Sequence, residues 1–432
     1  MKISPARTAA FDILFRIETE RAYSSILLPL YEGELSLADR GLCHETVLGT
    51  LRKQLFLDRS IDQLTAGKKI DPQIRIALRI GIYQLKYLDR VPDHAAINES
   101  VNLVHRAKKT SAKGFVNAVL RRSLRDSIAF AYQDDVERLS IETSHPRWLI
   151  DKWVCEFGLE QTAEFARSNN ETPSVAFRLI AESTDSVAEL LETARPSAFV
   201  PGCYITDRYS SDLLDLAEKG SIYLQDEASQ MAALSVPVPK NGRFLDVCAS
   251  PGGKVTLITN DNGGMSLPVA GDLHRGRVQY LRDNCQRLMG DKVSILQYDA
   301  EKGLPFLEKS FDSVLVDAPC SGTGTIRHNP ELRYRLDPRD FTTLPLKQLS
   351  ILKNASKMVS PGGSLIYSTC SVEIEENEGV CERFLESSPE FDKDEPGVDE
   401  RFLTEKGYAR TWPHRDETDG FFIAAFRRRS GN

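Results

Sequence analysis

Two cysteines, Cys320 and Cys370, stand where they could act on a bound ligand. Residues 317–324 read DAPCSGTG and residues 367–371 read YSTCS, and each stretch follows or ends an apolar run typical of a β-strand. Adjacent parallel strands end at one edge of a sheet, so both thiols would face one crevice. A single free cysteine is more commonly a small buried hydrophobe. Two in equivalent positions favour nucleophilic catalysis, for which a thiolate is well suited.

A glycine-rich turn links an earlier predicted strand to a helix and could hold a second ligand. It consists of Cys248, Ala249, Ser250, Pro251, Gly252, Gly253 and Lys254. The two glycines allow a ligand to approach the backbone closely, and the helix that follows begins with unpaired N–H groups. Cys248 and Val255 occupy positions that a phosphate-binding P-loop reserves for Gly and for Ser or Thr, so the turn is not of that type.

Aspartates stand at or near the ends of three successive predicted strands. Asp246 precedes the glycine-rich turn, Asp272 ends the next strand, and Asp299 follows the third. A carboxylate after the second strand can accept both ribose hydroxyls of a nucleoside, and Asp299 or its neighbours could meet an adenine. Each aspartate alone is typical of a solvated turn. In series behind a glycine-rich turn, they favour the nucleoside pocket of a methyltransferase that uses S-adenosylmethionine (AdoMet).

The elements that would position these residues form a sheet with helices on both faces. From residue 240 onward, short apolar runs alternate with helix-length segments, which predicts a mostly parallel, doubly wound sheet. The acidic stretch 388–400 predicts a surface loop. We expect strands at residues 243–248, 268–272, 293–296, 311–317, 363–369 and 420–426.

The chain ahead of this sheet divides into two further parts. Residues 1–135 predict an all-α helical bundle, in which Ser4-Pro5 and Asp71-Pro72 are typical helix starts. In the helix that begins at Asp71-Pro72, one apolar stripe is predicted, and Arg79 lies off it. Residues 136–235 mix helix and strand signals and predict a small α+β segment, which leaves residues 236–432 for the sheet domain.

Charge is spread unevenly along the 432 residues. The whole chain carries a formal charge of −7, but residues 1–130 hold 21 Lys and Arg against 14 Asp and Glu. The resulting net charge of +7 favours contact with a polyanion, although a surface charge of this size is also ordinary. Candidate phosphate contacts are the pairs 108–109 and 121–122, and the arginines 427–429 could do the same or form a flexible tail.

Several other classes of protein fit the sequence poorly. Charged residues make up 27% and apolar residues 41%, as in folded globular domains. No apolar run reaches the ~18 residues of a membrane-spanning helix, and no secretory signal is visible at residues 1–7. None of the 8 cysteines forms a Cys-x-x-Cys pair, so we expect reduced thiols, a cytoplasmic location and no metal site.

These motifs together resemble the RNA 5-methylcytosine methyltransferase family. Residues 317–324 and 368–371, with Glu-Glu-Asn at 375–377, look like its two-cysteine pattern, and residues 248–254 are similar to its AdoMet-binding signature. Residues 223–230 resemble the segment that precedes its catalytic domain.

The N-terminal third carries a second resemblance. Residues 97–101 (INESV) and 115–120 (FVNAVL) look like a NusB-type RNA-binding helical domain. That combination is similar to the bacterial 16S (small-subunit) rRNA cytosine-C5 methyltransferases of the RsmB/Fmu/Sun type, and it covers nearly the whole chain. The resemblance implies a NusB-like bundle, a small α+β segment and a Rossmann-like class I methyltransferase domain.

The resemblance also implies roles for single residues. Cys370 would be the nucleophile that adds to C6 of cytosine, Cys320 would assist product release, and Asp317 would contact N3 and N4 of the base. Lys254 would orient Asp317 or the nucleophile. AdoMet would be the co-substrate, without a metal. The residues expected to bind AdoMet are Cys248, Ala249, Ser250, Pro251, Gly252, Gly253, Lys254, Asp272, Arg277, Asp299 and Asp317.

The partner expected from the resemblance is 16S rRNA or a small-subunit assembly intermediate, bound by a monomer without any membrane. Two other interpretations stay open. Cys320 could be the nucleophile, because DNA cytosine-C5 methyltransferases use a Pro-Cys motif, which Pro319-Cys320 matches. Alternatively, the chain could be a non-catalytic RNA-binding or ribosome assembly factor with a vestigial methyltransferase fold.

Overall fold

The computed structural model describes residues 3–180, 185–207, 210–261 and 267–431. The chain forms two units, of which the first comprises residues 1–172 and 326–335 and the second comprises residues 173–325 and 336–432. No helix within the described ranges has both the length and the apolar character needed to cross a bilayer. The predicted domain limits at residues 135 and 235 stay a prediction.

The first unit is all-α, and its residues up to 135 are helical as the sequence predicts. Its ten helices over the described residues are α1 Pro5–Glu20, α2 Ser24–Glu32, α3 Leu37–Arg52, α4 Gln54–Leu64, α5 Pro72–Tyr87, α6 Asp93–Arg106, α7 Lys113–Arg125, α8 Asp135–Thr143, α9 Arg147–Phe157 and α10 Leu159–Ser168. Short 3₁₀ turns lie at Thr110–Ala112 and Pro330–Tyr334.

Local sequence accounts for the start of α5. Asp71 caps this helix by accepting a hydrogen bond from the Gln73 amide at 3.0 Å. Pro72 occupies the first helical position, where its missing N–H costs nothing. Ser4 precedes α1 as predicted, but its side chain does not cap a backbone amide of the helix. Its hydroxyl oxygen instead accepts a hydrogen bond from the Arg7 guanidinium.

The first unit also buries a cation that the helical pattern placed off the apolar stripe. Arg79 on α5 is 6% exposed. Its guanidinium donates to both carboxylate oxygens of Asp58, at 2.8 Å each, and to Glu18 at 2.7 Å. These two anions satisfy the charge, so the side chain can lie beside the buried core residues Ile76 to Ile82 of the same helix.

The segment 326–335 belongs to this unit although it is distant in sequence from the other helices. Its anchor is Arg333, which is completely buried. The guanidinium donates to the backbone oxygens of Thr143 and Asn169 and to the side-chain oxygen of Asn170, at 2.9 to 3.0 Å. Burial lowers the pKa of Arg333 to about 10, so the group is still charged at neutral pH.

We expect Arg333→Met to release this segment. The substitution removes the three hydrogen bonds that the guanidinium donates, which should lower the free energy of unfolding by about 2–4 kcal/mol. Hydrogen-exchange mass spectrometry should show faster exchange in peptides covering 326–335. Arg138→Met is the control, because Arg138 makes only an exposed ion pair with Asp135 and should change stability by less than about 0.5 kcal/mol. Equal protection of 326–335 in both variants would contradict the assigned anchor.

The second unit begins with a small four-stranded sheet. Its elements are β1 Val175–Leu179, α11 Asp185–Thr193, β2 Arg195–Pro196, β3 Cys203–Thr206, α12 Ser211–Glu218 and β4 Ile222–Leu224. The strands are antiparallel in the order β2-β3-β1-β4, which is a βαββαβ, ferredoxin-like arrangement. Phe177 on β1 packs with Val187, Leu213 and Ile222 on the helical side of the sheet.

A larger sheet with helices on both faces completes the second unit, as predicted. Its strands are β5 Arg243–Asp246, β6 Leu267–Asp272, β7 Ser294–Gln297, β8 Phe311–Asp317, β9 Val359–Thr369, β10 Phe391–Asp394, β11 Ala409–Arg410 and β12 Phe422–Arg428. The helices are α13 Glu227–Leu234, α14 Gly253–Asp261, α15 Arg275–Met289, α16 Asp340–Ser356, α17 Glu378–Ser387 and α18 Pro413–Asp416. Short 3₁₀ turns lie at Thr323–Thr325 and Glu400–Phe402.

The order of this sheet is β10-β12-β9-β8-β5-β6-β7, and β11 pairs with β12. The five strands from β9 to β7 are parallel, whereas β12 and β10 are antiparallel. The chain reverses its direction of travel between β5 and β8, and ligands bind at such a switch point beyond the carboxyl ends of the strands. Side chains alternate between the two faces of the central strands, so Val314 and Val316 pack in one core and Leu315 in the other.

One expectation for the C-terminal region is wrong, and one of the two alternatives for residues 427–429 is excluded. The stretch 388–400, predicted as a loop, contains β10, which pairs with β12 at the sheet edge. Arg427 and Arg428 lie in β12 rather than in a flexible tail, and Arg427 and Arg429 pair with Asp394 and Asp392. Because these partners come from another strand, the local sequence does not reveal them.

Candidate active site

The two thiols predicted to act together lie side by side. β8 and β9 are parallel neighbours, with Asp317 opposite Ser368 in the register. Cys320 and Cys370 follow these residues, and their sulfur atoms are 3.3 Å apart. Both side chains are half-buried and neither is in a disulfide. The register of one strand pair therefore brings two nucleophilic atoms within reach of a single small ring.

A cavity of about 320 Å³ adjoins this pair of thiols. It runs along the carboxyl ends of the central strands, where a doubly wound sheet binds its ligands. Eight residues predicted for the site line it: Cys248, Ser250, Asp272, Arg277, Asp299, Asp317, Cys320 and Cys370. The other five, Ala249, Pro251, Gly252, Gly253 and Lys254, belong to the glycine-rich turn and the start of α14.

Asp317 lies at the centre of the site and is held by two side chains. Lys254 donates to its Oδ2 at 2.7 Å, and Ser368 donates to its Oδ1 at 2.8 Å. Burial acts to lower the pKa of Lys254, but the adjacent Asp317 carboxylate outweighs burial, so the pKa is raised and the ammonium stays charged. The ion pair fixes the carboxylate while leaving lone pairs for a ligand in the cavity.

The glycine-rich turn fits a ligand that approaches the backbone. Gly252 has a φ of +107°, which disfavours any residue with a side chain. A Cβ at Gly253 would stand 2.8 Å from the Tyr223 ring. Tyr223 therefore lies against one side of the turn. Because Gly252 and Gly253 have no side chains, the turn stays close to the first backbone amides of α14.

A buried arginine supports this turn from the small sheet. Arg178 on β1 is 3% exposed, and its guanidinium donates to the Thr256 hydroxyl at 2.7 Å and to the Gly253 carbonyl at 3.3 Å. It also lies 5.1 Å from the centre of the Tyr223 ring. Burial lowers the pKa of Arg178 to about 10, so it remains a cation at neutral pH. Sequence analysis missed Arg178, because its partners are 75 and 78 residues away.

The carboxylates predicted to meet a nucleoside lie at the other end of the cavity. Asp272 accepts from the Ser250 amide at 3.3 Å and pairs with Arg277 at 3.2 Å. Asp299 pairs with the exposed Lys302, whose hydrogen bond lowers the pKa of the Asp299 carboxyl. Tyr298 and Lys347 also line the cavity and were not predicted. The position of Tyr298 directly before Asp299 is the signal that could have found it.

Asp246 is the most deeply buried of the aspartates at the strand ends. It is 1% exposed, and the backbone hydrogen bond from Cys248 and the charge of Lys254 offset the effect of burial only in part. Burial, with a further effect of the Asp317 charge, raises the pKa of Asp246 to about 8. Burial likewise raises the pKa of the Cys248 thiol. At neutral pH, Asp246 is therefore mostly a neutral acid, and the cavity carries less negative charge than its aspartates suggest.

This pKa predicts a pH dependence of stability. Between about pH 4 and about pH 8 the folded chain holds a proton on Asp246 that the unfolded chain has lost, so the free energy of unfolding falls as the pH rises. Asp246→Asn resembles the neutral acid and holds no such proton. The variant should therefore gain stability relative to the wild type between pH 5 and pH 8, as measured by urea unfolding.

The control is Asp283→Asn, which changes an exposed carboxylate on α15. Its difference from the wild type should stay constant over the same pH range. A constant difference for Asp246→Asn as well would mean that Asp246 is already ionised in the folded protein.

Comparison with known proteins adds independent findings. The family model for the 16S rRNA methyltransferase RsmB/F matches residues 233–427, and that for the NusB family matches residues 4–125. The probable ribosomal RNA small subunit methyltransferase B of Bacillus subtilis is 34% identical over 99% of this chain and 100% of its own length. The ribosomal RNA small subunit methyltransferase B of Pseudomonas putida is 33% identical over 89% of each chain.

Two solved structures share the fold. The crystal structure of PH0851 covers 99% of both chains with a TM-score of 0.82 and 28% identity. NSun6 from Pyrococcus horikoshii, solved with SFG, covers 66% of this chain and 98% of its own with a TM-score of 0.59. At 20% identity, the second likeness shows the fold alone. The all-α bundle and the doubly wound sheet thus occur together in a solved structure of nearly the same length.

Proposed function

Since the chain belongs to the RsmB/F family of 16S rRNA methyltransferases, we propose that it transfers the methyl group of AdoMet to C5 of one cytosine in small-subunit rRNA. The observation that carries the C5 chemistry is the 3.3 Å separation of the Cys320 and Cys370 sulfurs at one end of the cavity. Methyl transfer to an exocyclic nitrogen or a ribose oxygen would not require a thiol nucleophile, whereas transfer to the unreactive C5 does.

Cys370 supplies the activation that C5 lacks. Its thiolate adds to C6 of the cytosine, which forms a C6–S bond and makes C5 an enamine-like nucleophile. AdoMet would supply the methyl group that C5 attacks, and its methyl–sulfur bond would break so that S-adenosylhomocysteine leaves. A base then takes the C5 proton, and the electron pair of the C5–H bond forms a new C5–C6 double bond. The C6–S bond breaks at the same time, and the Cys370 thiolate leaves.

The choice of Cys370 as the nucleophile rests on the family resemblance, and the electrostatics of Cys320 are compatible with it. The hydrogen bond with Cys370, followed by burial, raises the pKa of the Cys320 thiol. Cys320 therefore keeps its proton and can donate to a neighbouring thiolate on Cys370. A protonated thiol beside the departing sulfur fits the role of Cys320 in product release.

Asp317 and Lys254 have the geometry to recognise the base. One oxygen of Asp317 accepts from Lys254 and the other from Ser368. Its remaining lone pairs can accept hydrogen bonds from the N4 amino group of cytosine and from N3 when N3 is protonated. A protonated N3 withdraws electrons from the ring as C6 is attacked. Because the carboxylate is held on both sides, it can orient the ring before addition begins.

The part of the cavity in which the methyl donor would bind has the groups that a nucleoside with a cationic sulfonium needs. Asp272 and Asp299 line it, the side-chain-free turn at Gly252 and Gly253 borders α14, and the cavity continues to Cys370. Acidic groups favour a positively charged ligand over a neutral one. AdoMet would lie between Asp272 and the two thiols.

The NusB-type unit is the proposed contact with rRNA or with an assembling small subunit in the cytoplasm. Its net charge is positive, and the attraction should weaken with salt. Two of the candidate phosphate contacts already have partners, because Lys109 pairs with Asp71 and Arg122 with Asp126. These exposed pairs are weak and can exchange a carboxylate for a phosphate.

The two cysteines should fail at different steps. Cys370→Ala should lower methyl transfer by at least about 10³-fold and form no covalent complex with RNA. Cys320→Ala should form the C6 adduct but release it slowly, so a protein–RNA complex should accumulate on denaturing gels. Cys155→Ala, which removes an exposed thiol on α9, is the control and should behave as the wild type. An adduct with Cys370→Ala but none with Cys320→Ala would make Cys320 the nucleophile.

The rRNA target can be tested in cells. Bisulfite sequencing of 16S rRNA should lose one methylated cytosine when the protein is absent, and a plasmid copy should restore the mark. A copy with Cys370→Ala should bind rRNA without restoring it. An unchanged methylation pattern together with defective subunit assembly would instead favour the non-catalytic assembly factor.

A further inference from the structure

A fully buried carboxylate connects the loops that carry the two thiols. Glu376 follows Cys370 in the loop before α17 and is 0% exposed. Its Oε2 accepts from the Ser321 amide at 2.9 Å, and its Oε1 accepts from the Ser371 hydroxyl at 2.9 Å. Ser321 and Ser371 are the residues directly after Cys320 and Cys370. One side chain therefore touches both cysteine loops, one residue beyond each sulfur.

A second residue strengthens this connection from α16. The Gln348 side-chain amide donates to Glu376 Oε2 at 2.7 Å and to the carbonyl of Pro319 at 3.0 Å. Pro319 is the residue directly before Cys320. The Cys320 loop is thus held on both sides of its thiol, by Gln348 before it and by Glu376 after it.

The loop of Cys370 is fixed by neighbours of Glu376. Asn377 accepts from the Thr369 hydroxyl at 2.6 Å and donates to the Ser371 carbonyl at 2.9 Å. Tyr367 donates to the Glu376 carbonyl at 2.6 Å. The two loops also bond directly, because the Gly324 amide donates to the Cys370 carbonyl at 3.0 Å.

The cost of this arrangement indicates that it does more than fill space. The hydrogen-bond partners of Glu376 among the described residues are neutral donors, and burial raises the pKa of its carboxyl. A buried acid without a cation is expensive, and an apolar side chain would fill the same volume more cheaply. What a carboxylate adds is directional acceptors that fix two separate loops relative to each other.

Resting on the function proposed above, we propose that Glu376, with Gln348, is a positioning residue that sets the distance between the Cys320 and Cys370 sulfurs. Addition by Cys370 needs only one thiol beside C6. Release also needs Cys320 close to the departing sulfur, when the C5 proton is lost and the C6–S bond breaks. A longer separation should therefore slow release more than addition.

Two variants separate geometry from charge. Glu376→Met has a similar length but no acceptor, so it should free both loops. Glu376→Gln keeps one oxygen for the Ser321 and Gln348 donors, while Ser371 can accept from its amide. We expect Glu376→Met to hold the RNA adduct at least about 10-fold longer than the wild type, with unchanged AdoMet affinity. Glu376→Gln should restore release to within a few-fold.

The sulfur separation can be measured without RNA. Phenylarsine oxide condenses with two nearby thiols to give a cyclic dithioarsenite and water, and it binds weakly to a single thiol. The wild type and Glu376→Gln should each capture one arsenical through Cys320 and Cys370, with Cys320→Ala as the negative control. Glu376→Met should lose this capture. Glu382→Met, which changes an exposed residue on α17, should retain it.

The outcomes distinguish this inference from the proposed function. If Glu376→Met captures the arsenical and releases the adduct like the wild type, the positioning role is refuted. If the wild type captures the arsenical but transfers no methyl group to RNA, and Cys320→Ala accumulates no RNA adduct, the proposed chemistry is refuted while the geometric role survives. Should Glu376→Met fail to fold, Gln348→Leu decides, because it removes the tie before Cys320 and leaves the other acceptor bonds of Glu376. Wild-type capture and release in Gln348→Leu would then overturn the proposal.

Discussion

The parallel pairing of β8 with β9 is the constraint on which the candidate site depends. It sets Asp317 opposite Ser368, and the two side chains then share a hydrogen bond that belongs to the site itself. A slip of one residue would turn every side chain of one strand to the opposite face. Asp317 would then lose Ser368, and the loop carrying Cys320 would no longer lie beside Cys370. The core residues that alternate along both strands therefore fix the chemistry as well as the fold.

Charge at the strand ends is balanced by two cations and by the protonation of one buried acid. Asp246 takes up a proton, Asp272 has Arg277, and Asp317 has Lys254. Two of the acids are therefore in ion pairs and the third is protonated, although all three stand at the carboxyl ends of adjacent strands. The result is a cavity in which Asp317 pairs with Lys254 beside the thiols, while the protonated Asp246 adds no negative charge. A cationic donor would complete this balance.

The sequence predicts features whose partners are near in the chain. The Asp71-Pro72 helix start, the strand-and-turn motif at 246–254 and the cysteines at two strand ends all carry local signals, and the structure brings eight of the predicted site residues to one cavity. The features missed depend on distant partners. Arg79 is buried because Asp58 and Glu18 meet it, Arg333 because three acceptors from 143–170 surround it, and 391–394 is a strand because β12 pairs with it. Spacing within one segment contains none of this information.

The small ferredoxin-like sheet shows how partners distant in the chain determine what a face of a common topology contacts. In modules of this topology an exposed sheet face commonly binds single-stranded RNA through aromatic side chains. Here Ala176 on β1 packs with the core residues of α13 and α14, and Arg178 on the same strand bonds to the first turn of α14. That face is therefore committed to supporting the glycine-rich turn. The module therefore supports the glycine-rich turn by holding Gly253 and Thr256 in place.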